Sequence, residues 1–297
     1  EMMNEAWQRS QYACDVDGIV SIDPVFIQKM VEINGNVTLE DGTVLTGKNT
    51  AEYMLNTIYK EVPVSLQDTY FEYIASTIMN NAFSNMDITK MMKVAQSIGE
   101  LTRNRHFYAY TFHDDEAKYF QGAGLAKGTP DSETDPEVGI YLNEQNPSKL
   151  GWYIDRKAQI TKTGQNADGS KTYHVTYTLT NTLTSSEMAT CTGYILGGEQ
   201  AGVTGKPVAA PGTSAQRMLF YAPKGGSISE ITSSGDVRDQ SNAVMDDQKL
   251  VTNVAYIAPG ESVTFDFDVT TSPKAESDLT IDQTPSGKVT NEVNYQY

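Results

Sequence analysis

The hydrophobic pattern of this 297-residue chain changes its period near residue 145. Before that point, apolar residues recur three or four positions apart, which is typical of helices with one buried face. After it they alternate with polar residues, as in residues 173–180, where Tyr, Val and Leu alternate with His and Thr. Because helical and extended backbones place side chains at different periods, the chain is predicted to fold as a mixed segment followed by an all-β segment.

The first segment contains both helix-start signals and short β-type runs. Each start signal is a polar residue that can accept a hydrogen bond from the first free backbone N–H groups of a helix. The predicted starts are Asp23–Pro24, Asn49 with Glu52, Ser65 with Asp68, and Asp87. The last of these helices has a predicted apolar stripe of Met91, Met92, Ala95 and Ile98. The predicted strands are Gly18–Ile22, Val37–Leu39, His106–Thr111 and Val138–Leu142.

These patterns define the predicted fold class and domains. Residues 1–145 are predicted to form an α/β or α+β domain. Residues 146–273 are predicted to form an immunoglobulin-like β-sandwich, because short alternating strands are separated by turn residues. Residues 274–297 are predicted to be a strand-bearing tail. Gly193–Ser214, rich in Gly, Ala and Pro, is predicted to be a surface loop.

Charge and hydropathy exclude several classes of partner. The chain has 22 Lys+Arg against 38 Asp+Glu, a formal net charge of −16, which argues against nucleic-acid binding and against docking on anionic lipid. No run of 18 apolar residues is present, so this sequence is not expected to span a bilayer. It starts like the middle of a helix, without a cap, and we therefore expect a fragment whose upstream part was removed.

The densest cluster of metal-ligand residue types is His113-Asp114-Asp115-Glu116. His113, Asp114 and Glu116 are weak candidates for a metal site, because consecutive side chains on a helix diverge. The acids are better explained as the first turn of a helix, where negative charge is favoured. The run Cys14–Gly18 lacks the later ligands of an EF-hand and is interpreted as a turn.

The remaining candidate groups do not form a specific catalytic motif. Asp266 and Asp268 lie about 7 Å apart on one strand face, where two acids could serve a glycosidase, but they are interpreted as the solvated side of the strand. The sequence contains no nucleophile elbow, phosphate loop or dinucleotide fingerprint. No cofactor is predicted. Cys14 and Cys191 either pair as a disulfide or stay free.

Two runs resemble a known family. Residues 15–25 (Asp-Val-Asp-Gly-Ile-Val-Ser-Ile-Asp-Pro-Val) and residues 34–49 (Asn-Gly-Asn-Val-Thr-Leu-Glu-Asp-Gly-Thr-Val-Leu-Thr-Gly-Lys-Asn) are similar to the actinobacterial envelope proteins of the domain of unknown function 4012 family. Residues 67–68, 136–143 and 173–182 extend the resemblance over nearly the whole chain. It implies an extracytoplasmic, cell-surface protein whose membrane anchor lies outside this sequence.

The order of elements over residues 18–59 also resembles the second half of the LytR-CpsA-Psr domain. That family transfers polyprenyl-phosphate-linked glycopolymers, with arginines on the pyrophosphate and acids on a divalent cation. The resemblance places Val64 and Gln67 where the arginine pair should be, and no Arg occurs between Arg9 and Arg103. It therefore implies the scaffold without its arginine clamp.

The predicted function is a non-catalytic extracytoplasmic protein that binds or scaffolds a cell-wall component or another envelope protein. The first alternative is a LytR-CpsA-Psr-like transferase that a missing N-terminal part completes. That alternative predicts an apolar groove between the helices at Val25–Ile33 and Leu66–Phe83, wide enough for a polyprenyl chain. The second alternative is a surface adhesin or stalk module.

Overall fold

Helices and two short β ribbons form the first part of the chain in the computed structural model, which describes residues 2–84, 86–197, 208–245, 248–288 and 292–297. In chain order the elements are α1 (Met2–Gln8), β1 (Gly18–Ile22), α2 (Pro24–Asn34), β2 (Val37–Thr38), β3 (Val44–Leu45), α3 (Thr50–Glu52), α4 (Ile58–Glu61), α5 (Gln67–Ser84), α6 (Ile88–Arg103), β4 (Phe107–Thr111) and α7 (Asp114–Gly122). A π-helical turn, Tyr53–Thr57, joins α3 to α4, and a 3-10 turn, Val64–Leu66, precedes α5. The ribbons are β1–β4 and β2–β3, both antiparallel.

Two of the predicted helix starts are capped as expected. Asp23 accepts hydrogen bonds from the backbone N–H groups of Val25 and Phe26, and α2 begins at Pro24. Asp87 accepts one from the N–H of Lys90 at the start of α6. Asn49 instead bonds the preceding turn through its side chain and makes no capping bond.

The stripe predicted on α6 is wrong for its first two turns. Met91 and Met92 are 60% and 58% exposed, and Ala95 is also exposed. Ile98 is half-buried, and Leu101 and Thr102 at the end of the helix are buried. Val94 and Leu101 of α6 pack against the core of the helical layer, and the helix contacts α2 and β4. The spacing identified an apolar face correctly but could not show that most of this face meets solvent.

The second part of the chain is built almost entirely from strands. They are β5 (Glu137–Glu144), β6 (Ile154–Gln165), β7 (Lys171–Asn181), β8 (Ser214–Tyr221), β9 (Ser227–Ile228), β10 (Thr232–Ser234), β11 (Asp236–Met245), β12 (Gln248–Ile257), β13 (Ser262–Thr270), β14 (Thr280–Gln283) and β15 (Glu292–Gln296). Among the residues described here, three short helical segments interrupt them: the 3-10 turn Leu150–Tyr153, α8 (Ser185–Thr190) and α9 (Gly193–Leu196).

These strands form two sheets that share one core. One sheet has the order β10-β13-β7-β6-β15, with β9 also on β13, and the other has the order β11-β12-β8-β5-β14. Alternate residues of β7 and β13 point into the core, which accounts for the period of two in the sequence. The fully buried aromatic side chains include Tyr177, Phe220 and Phe265. The chain is therefore of mixed α/β composition with two large sheets packed face to face.

The two sheets also contain strands that lie outside residues 146–273, the segment predicted to form the sandwich. Strand β5 lies between β8 and β14 in one sheet, although it precedes residue 146. The C-terminal strands β14 and β15 pair in parallel with β5 and β6. Periodicity reveals that a segment is a strand, but only its partners decide which sheet it joins.

The predicted loop Gly193–Ser214 begins with a buried turn. Ile195 and Leu196 of α9 pack against Leu150, Tyr153 and Leu183 in a small separate cluster. Residues 198–207 of the predicted loop lie outside the described residues. Within the described ranges, no helix combines the length and apolar composition that crossing a bilayer requires.

Candidate functional site

A cleft of about 410 Å³ lies where the helical layer meets the C-terminal strands of the sandwich. We call it the interlayer cleft. Helix α2 and the end of α6 form one wall, and the segment that contains β14 and β15 forms the other. Its lining residues are Val25, Gln28, Lys29, Glu32, Glu100, Leu101, Arg103, Asn104, His106, Ile281, Gln283, Thr284, Pro285, Lys288, Val293 and Tyr295.

A tight turn after α6 shapes the helical wall of the cleft. Helix α6 ends at Arg103, and Arg105 adopts a positive φ of 62°. The N–H of His106 donates to the carbonyl of Leu101 at 2.7 Å. The imidazole Nδ1 of His106 lies 2.7 Å from Oδ2 of Asp23, the residue that caps α2. One carboxylate therefore caps α2 and holds the imidazole at the cleft.

The same turn directs Arg105 into a buried polar network with the sandwich. Its Nε donates to Oδ1 of Asp282 at 2.7 Å, and its Nη2 donates to Oδ2. The hydroxyl of Tyr141 also donates to Oδ2, at 2.6 Å, and Nζ of Lys127 lies 3.5 Å from Oδ1. The Asp282 side chain has no exposed surface. A buried carboxylate needs such partners, and here they join the two walls of the cleft.

Burial and charge also change the titration of this network. Burial raises the pKa of the Tyr141 hydroxyl, and the negative charge of Asp282 raises it further. Burial would lower the pKa of Arg105, but its hydrogen bonds and ion pair with Asp282 reverse that effect and raise the pKa overall. The tyrosine therefore stays neutral and the arginine charged over the range in which the protein would function.

The lining of the cleft is less acidic than the protein as a whole. Three cationic side chains line it against two carboxylates, whereas the chain has a net charge of −16. Lys29 pairs with Glu32 at 2.9 Å, and Lys288 pairs with Asp155 at 2.5 Å. Within the described residues, Arg103 has no ion pair or side-chain hydrogen bond. Its guanidinium is therefore available to an acidic group in the cleft.

The residues suggested as metal ligands do not come together as a metal site. The Nε2 atom of His113 lies 3.0 Å from Oδ1 of Asp17, and Thr111 donates to Glu116 at 2.9 Å. Asp114 begins α7, and the other two acids complete its first turn. Among the residues that the structure describes, no group of three His, Cys, Asp or Glu side chains could hold a metal ion.

The two carboxylates on β13 lie on the outer face of their sheet, opposite His174. Nδ1 of His174 is 2.9 Å from Oδ1 of Asp268, and Thr176 donates to Asp266 at 2.6 Å. Both are cross-strand pairs of the β7–β13 ladder. They are side chains of a solvated sheet face, as the alternation indicates.

The two cysteines are free thiols in the structure, so the candidate disulfide is not formed. Cys14 is exposed in the loop before β1, and Cys191 follows α8. The sulfur of Cys191 lies 3.8 Å from the hydroxyl of Tyr153, the last residue of the 3-10 turn Leu150–Tyr153. Sequence spacing left the pairing open, because it carries no information about how far apart the two residues lie.

The place predicted for a polyprenyl groove is occupied by a packed core. Ile27, Met30 and Val31 of α2 pack with Ile74 and Ile78 of α5. All five side chains are almost completely buried. This packing counts against a polyprenyl chain between the two helices.

The residues that hold the walls of the interlayer cleft in place carry no local signal in the sequence. Arg105 and Asp282 are 177 positions apart, and each is an ordinary charged residue in its own segment. Asp23 was identified as a cap, but its bond to His106 depends on the turn at Arg105. An arginine at a positive φ is the one unusual local feature, and it is visible only in the structure.

Comparisons with known proteins provide limited information. Residues 1–59, about a fifth of the chain, match the family described as "Protein of unknown function (DUF4012)", which supports the resemblance to that family for this segment. None of the curated proteins matches the chain. A solved structure of a "putative nutrient binding protein" from Legionella pneumophila is similar to 47% of this chain and 44% of its own, at 12% identity and a TM-score of 0.24.

Proposed function

We propose that this protein is a non-catalytic, extracytoplasmic binding protein of the cell envelope whose ligand occupies the interlayer cleft. The observation that carries the proposal is that, among the described residues, the guanidinium of Arg103 has no ion-pair partner in a cleft between two layers that Arg105 and Asp282 hold together. Small-molecule sites occur preferentially at such junctions between layers or domains. The envelope location is inferred from the resemblance of the sequence to that family, and the match of residues 1–59 supports the resemblance for that segment.

The lining indicates the chemical class of the ligand. The ring of Tyr295 and the side chains of Val25 and Ile281 offer apolar surface, while Gln283 and Asn104 offer amide groups. An aromatic ring beside amides suits a sugar or a short peptide with an apolar face. The cation of Arg103 adds a preference for an acidic group. We therefore propose an acidic fragment of the cell wall that contains amide and hydroxyl groups.

The proposed fold assignments are consistent with this function. We propose that the sandwich is immunoglobulin-like and that the helical layer derives from a LytR-CpsA-Psr-like scaffold that no longer has its arginine clamp. The full-length protein would then be anchored to the membrane by a segment outside this sequence. The packed contact between α2 and α5 favours binding over transfer of a lipid-linked substrate, because it leaves no room for a polyprenyl chain there.

Calorimetry with N-acetylmuramyl dipeptide and the neutral disaccharide diacetylchitobiose tests the proposal. We expect saturable binding of the acidic fragment and at least tenfold weaker binding after Arg103→Gln, since a charge-assisted hydrogen bond contributes about 1.5 kcal/mol or more. Arg9→Gln is the matched control, because Arg9 is exposed directly after α1 and is not part of the cleft lining. No saturable binding of either ligand at millimolar concentration would refute the proposed ligand class, and turnover of a lipid-linked glycan would refute the non-catalytic assignment.

A further inference from the structure

Strand β1 leaves one backbone edge without a partner strand in the part of the chain that the structure describes. It pairs only with β4. The N–H of Phe112 donates to the carbonyl of Asp17 at 2.8 Å, which makes residues 17 and 112 a hydrogen-bonded pair. Hydrogen-bonded pairs alternate along an antiparallel ladder, so the N–H and C=O groups of Val20 and Ile22 point away from β4.

The side chains on this edge are apolar and accessible. Val20 is 61% exposed and Ile22 is 40% exposed. Natural edge strands are usually protected by a charged residue, a proline, a bulge or a covering segment. Within β1 itself, Gly-Ile-Val-Ser-Ile, none of the first three devices is present. A two-stranded ribbon with this composition is therefore open to a further strand.

The opposite face of the ribbon carries an apolar groove of about 460 Å³. Ile19 of β1 lines it together with Tyr108 and Phe112 from the neighbouring strand segment, and Met3 and Leu125 complete its walls. A strand added beside β1 would place alternate side chains on the face that carries Ile19 and on the face that carries Val20 and Ile22. Apolar surface would then be buried on both faces of the added strand.

One end of this edge is acidic. Asp17, directly before β1, contacts His113, and the hydrogen bond between them raises the pKa of His113. The charges of Glu116 and Asp115 raise the same pKa, so these carboxylates lie near the start of β1. A basic residue in an added strand would find complementary charge there.

We propose that β1 is a docking edge for an extended polypeptide segment that alternates apolar and polar residues and carries a basic residue where it passes Asp17. The N–H and C=O groups of β1 that point outward recur at every second residue. Another extended backbone presents hydrogen-bonding groups at the same spacing, which is the basis of strand addition. Lipid chains and sugars do not offer that repeat. The site is separate from the interlayer cleft and does not depend on the function proposed for it.

The test uses the synthetic peptide Lys-Val-Thr-Ile-Thr-Val-Lys as the probe. We expect it to protect the amide hydrogens of Val20 and Ile22 from exchange. A second peptide has alternate backbone nitrogens methylated, so that it keeps the side chains but loses the N–H donors along one edge. We expect its affinity for the protein to be at least tenfold lower than that of the unmethylated peptide. Replacing the two lysines by glutamates should also weaken binding about tenfold.

Two variants of the protein complete the test. Val20→Pro removes an outward N–H without removing a ladder bond, because proline is tolerated on a strand edge that faces solvent. We expect at least tenfold weaker binding, whereas Val20→Thr keeps the N–H and should bind within twofold of the original. The proposal would be overturned by equal binding of the methylated peptide, or by no protection at millimolar peptide. Self-association that Val20→Pro abolishes, without peptide binding, would instead assign the edge to a second copy of this chain.

Discussion

Replacing Asp282 by Asn tests whether the buried ion pair joins the two layers. The Asp282 side chain has no exposed surface, and the Arg105 side chain is only 10% exposed. The substitution keeps the shape but removes the negative charge, so that a buried guanidinium loses its counter-ion. Breaking a buried pair on one side costs about 3–5 kcal/mol, a large part of the 5–15 kcal/mol that ordinarily stabilises a folded protein.

Urea unfolding followed by circular dichroism and tryptophan fluorescence measures this loss. We expect Asp282→Asn to lower the free energy of unfolding by about 3–5 kcal/mol. Asp236→Asn, which breaks an exposed pair with Arg238, is the matched control and should cause no measurable change. A loss below about 1 kcal/mol for Asp282→Asn would refute the reasoning. The double variant Arg105→Met with Asp282→Leu should recover most of the stability, because it leaves no uncompensated charge. If it remains as unstable as the single variant, the loss comes from β14 pairing and not from charge.

Three further predictions concern other parts of the fold. Burial raises the pKa of Tyr177 to about 12, so the stability that its neutral hydroxyl contributes is complete below pH 10, and about 3 kcal/mol of it is lost between pH 10 and 12. The urea midpoint of Tyr177→Phe should therefore fall less steeply with pH over that range than the midpoint of the original protein. An equally steep fall would contradict the pKa shift of Tyr177. Gly47→Ala would place a Cβ 2.8 Å from a backbone atom of α2 and should lower the free energy of unfolding, measured by thermal melting, by about 1–3 kcal/mol. Gly122→Ala is the control and should leave this free energy unchanged, because its new Cβ meets open space. Thiol titration without reductant should detect two thiols, Cys14 reacting first and the partly buried Cys191 more slowly, and detection of none would show a disulfide.

Local signals in the sequence were sufficient for most helices and strands. The capping residue Asp23 and the proline after it predict that α2 begins at Pro24, as it does in the structure. The signal is local because the cap accepts hydrogen bonds from N–H groups that lie within three positions of it. The alternation in residues 173–180 predicts β7, and its partner β13 follows the same rule. In each case the physical cause acts over a few residues.

The candidate site could not be predicted in this way. Its walls come from α2, the end of α6 and the last strands of the chain, so its position depends on how the two layers pack. The residues singled out in sequence, His113, Asp114 and Glu116, are explained by the local chemistry of the first turn of a helix. The residues that join the walls, Arg105 and Asp282, look like ordinary surface charges until the fold buries them.

The sequence by itself determined the spacing of apolar residues, and this spacing predicts a mixed segment followed by a strand-rich one. Only the tertiary structure decided that β5 joins the sandwich, that the first half of the α6 stripe faces solvent, and that Arg105 meets Asp282. The reason is that periodicity and capping arise from hydrogen bonds and side-chain spacing within a few residues. Sheet membership, burial of a given face and pairing of distant charges depend on contacts between residues far apart in the chain, which no local pattern encodes.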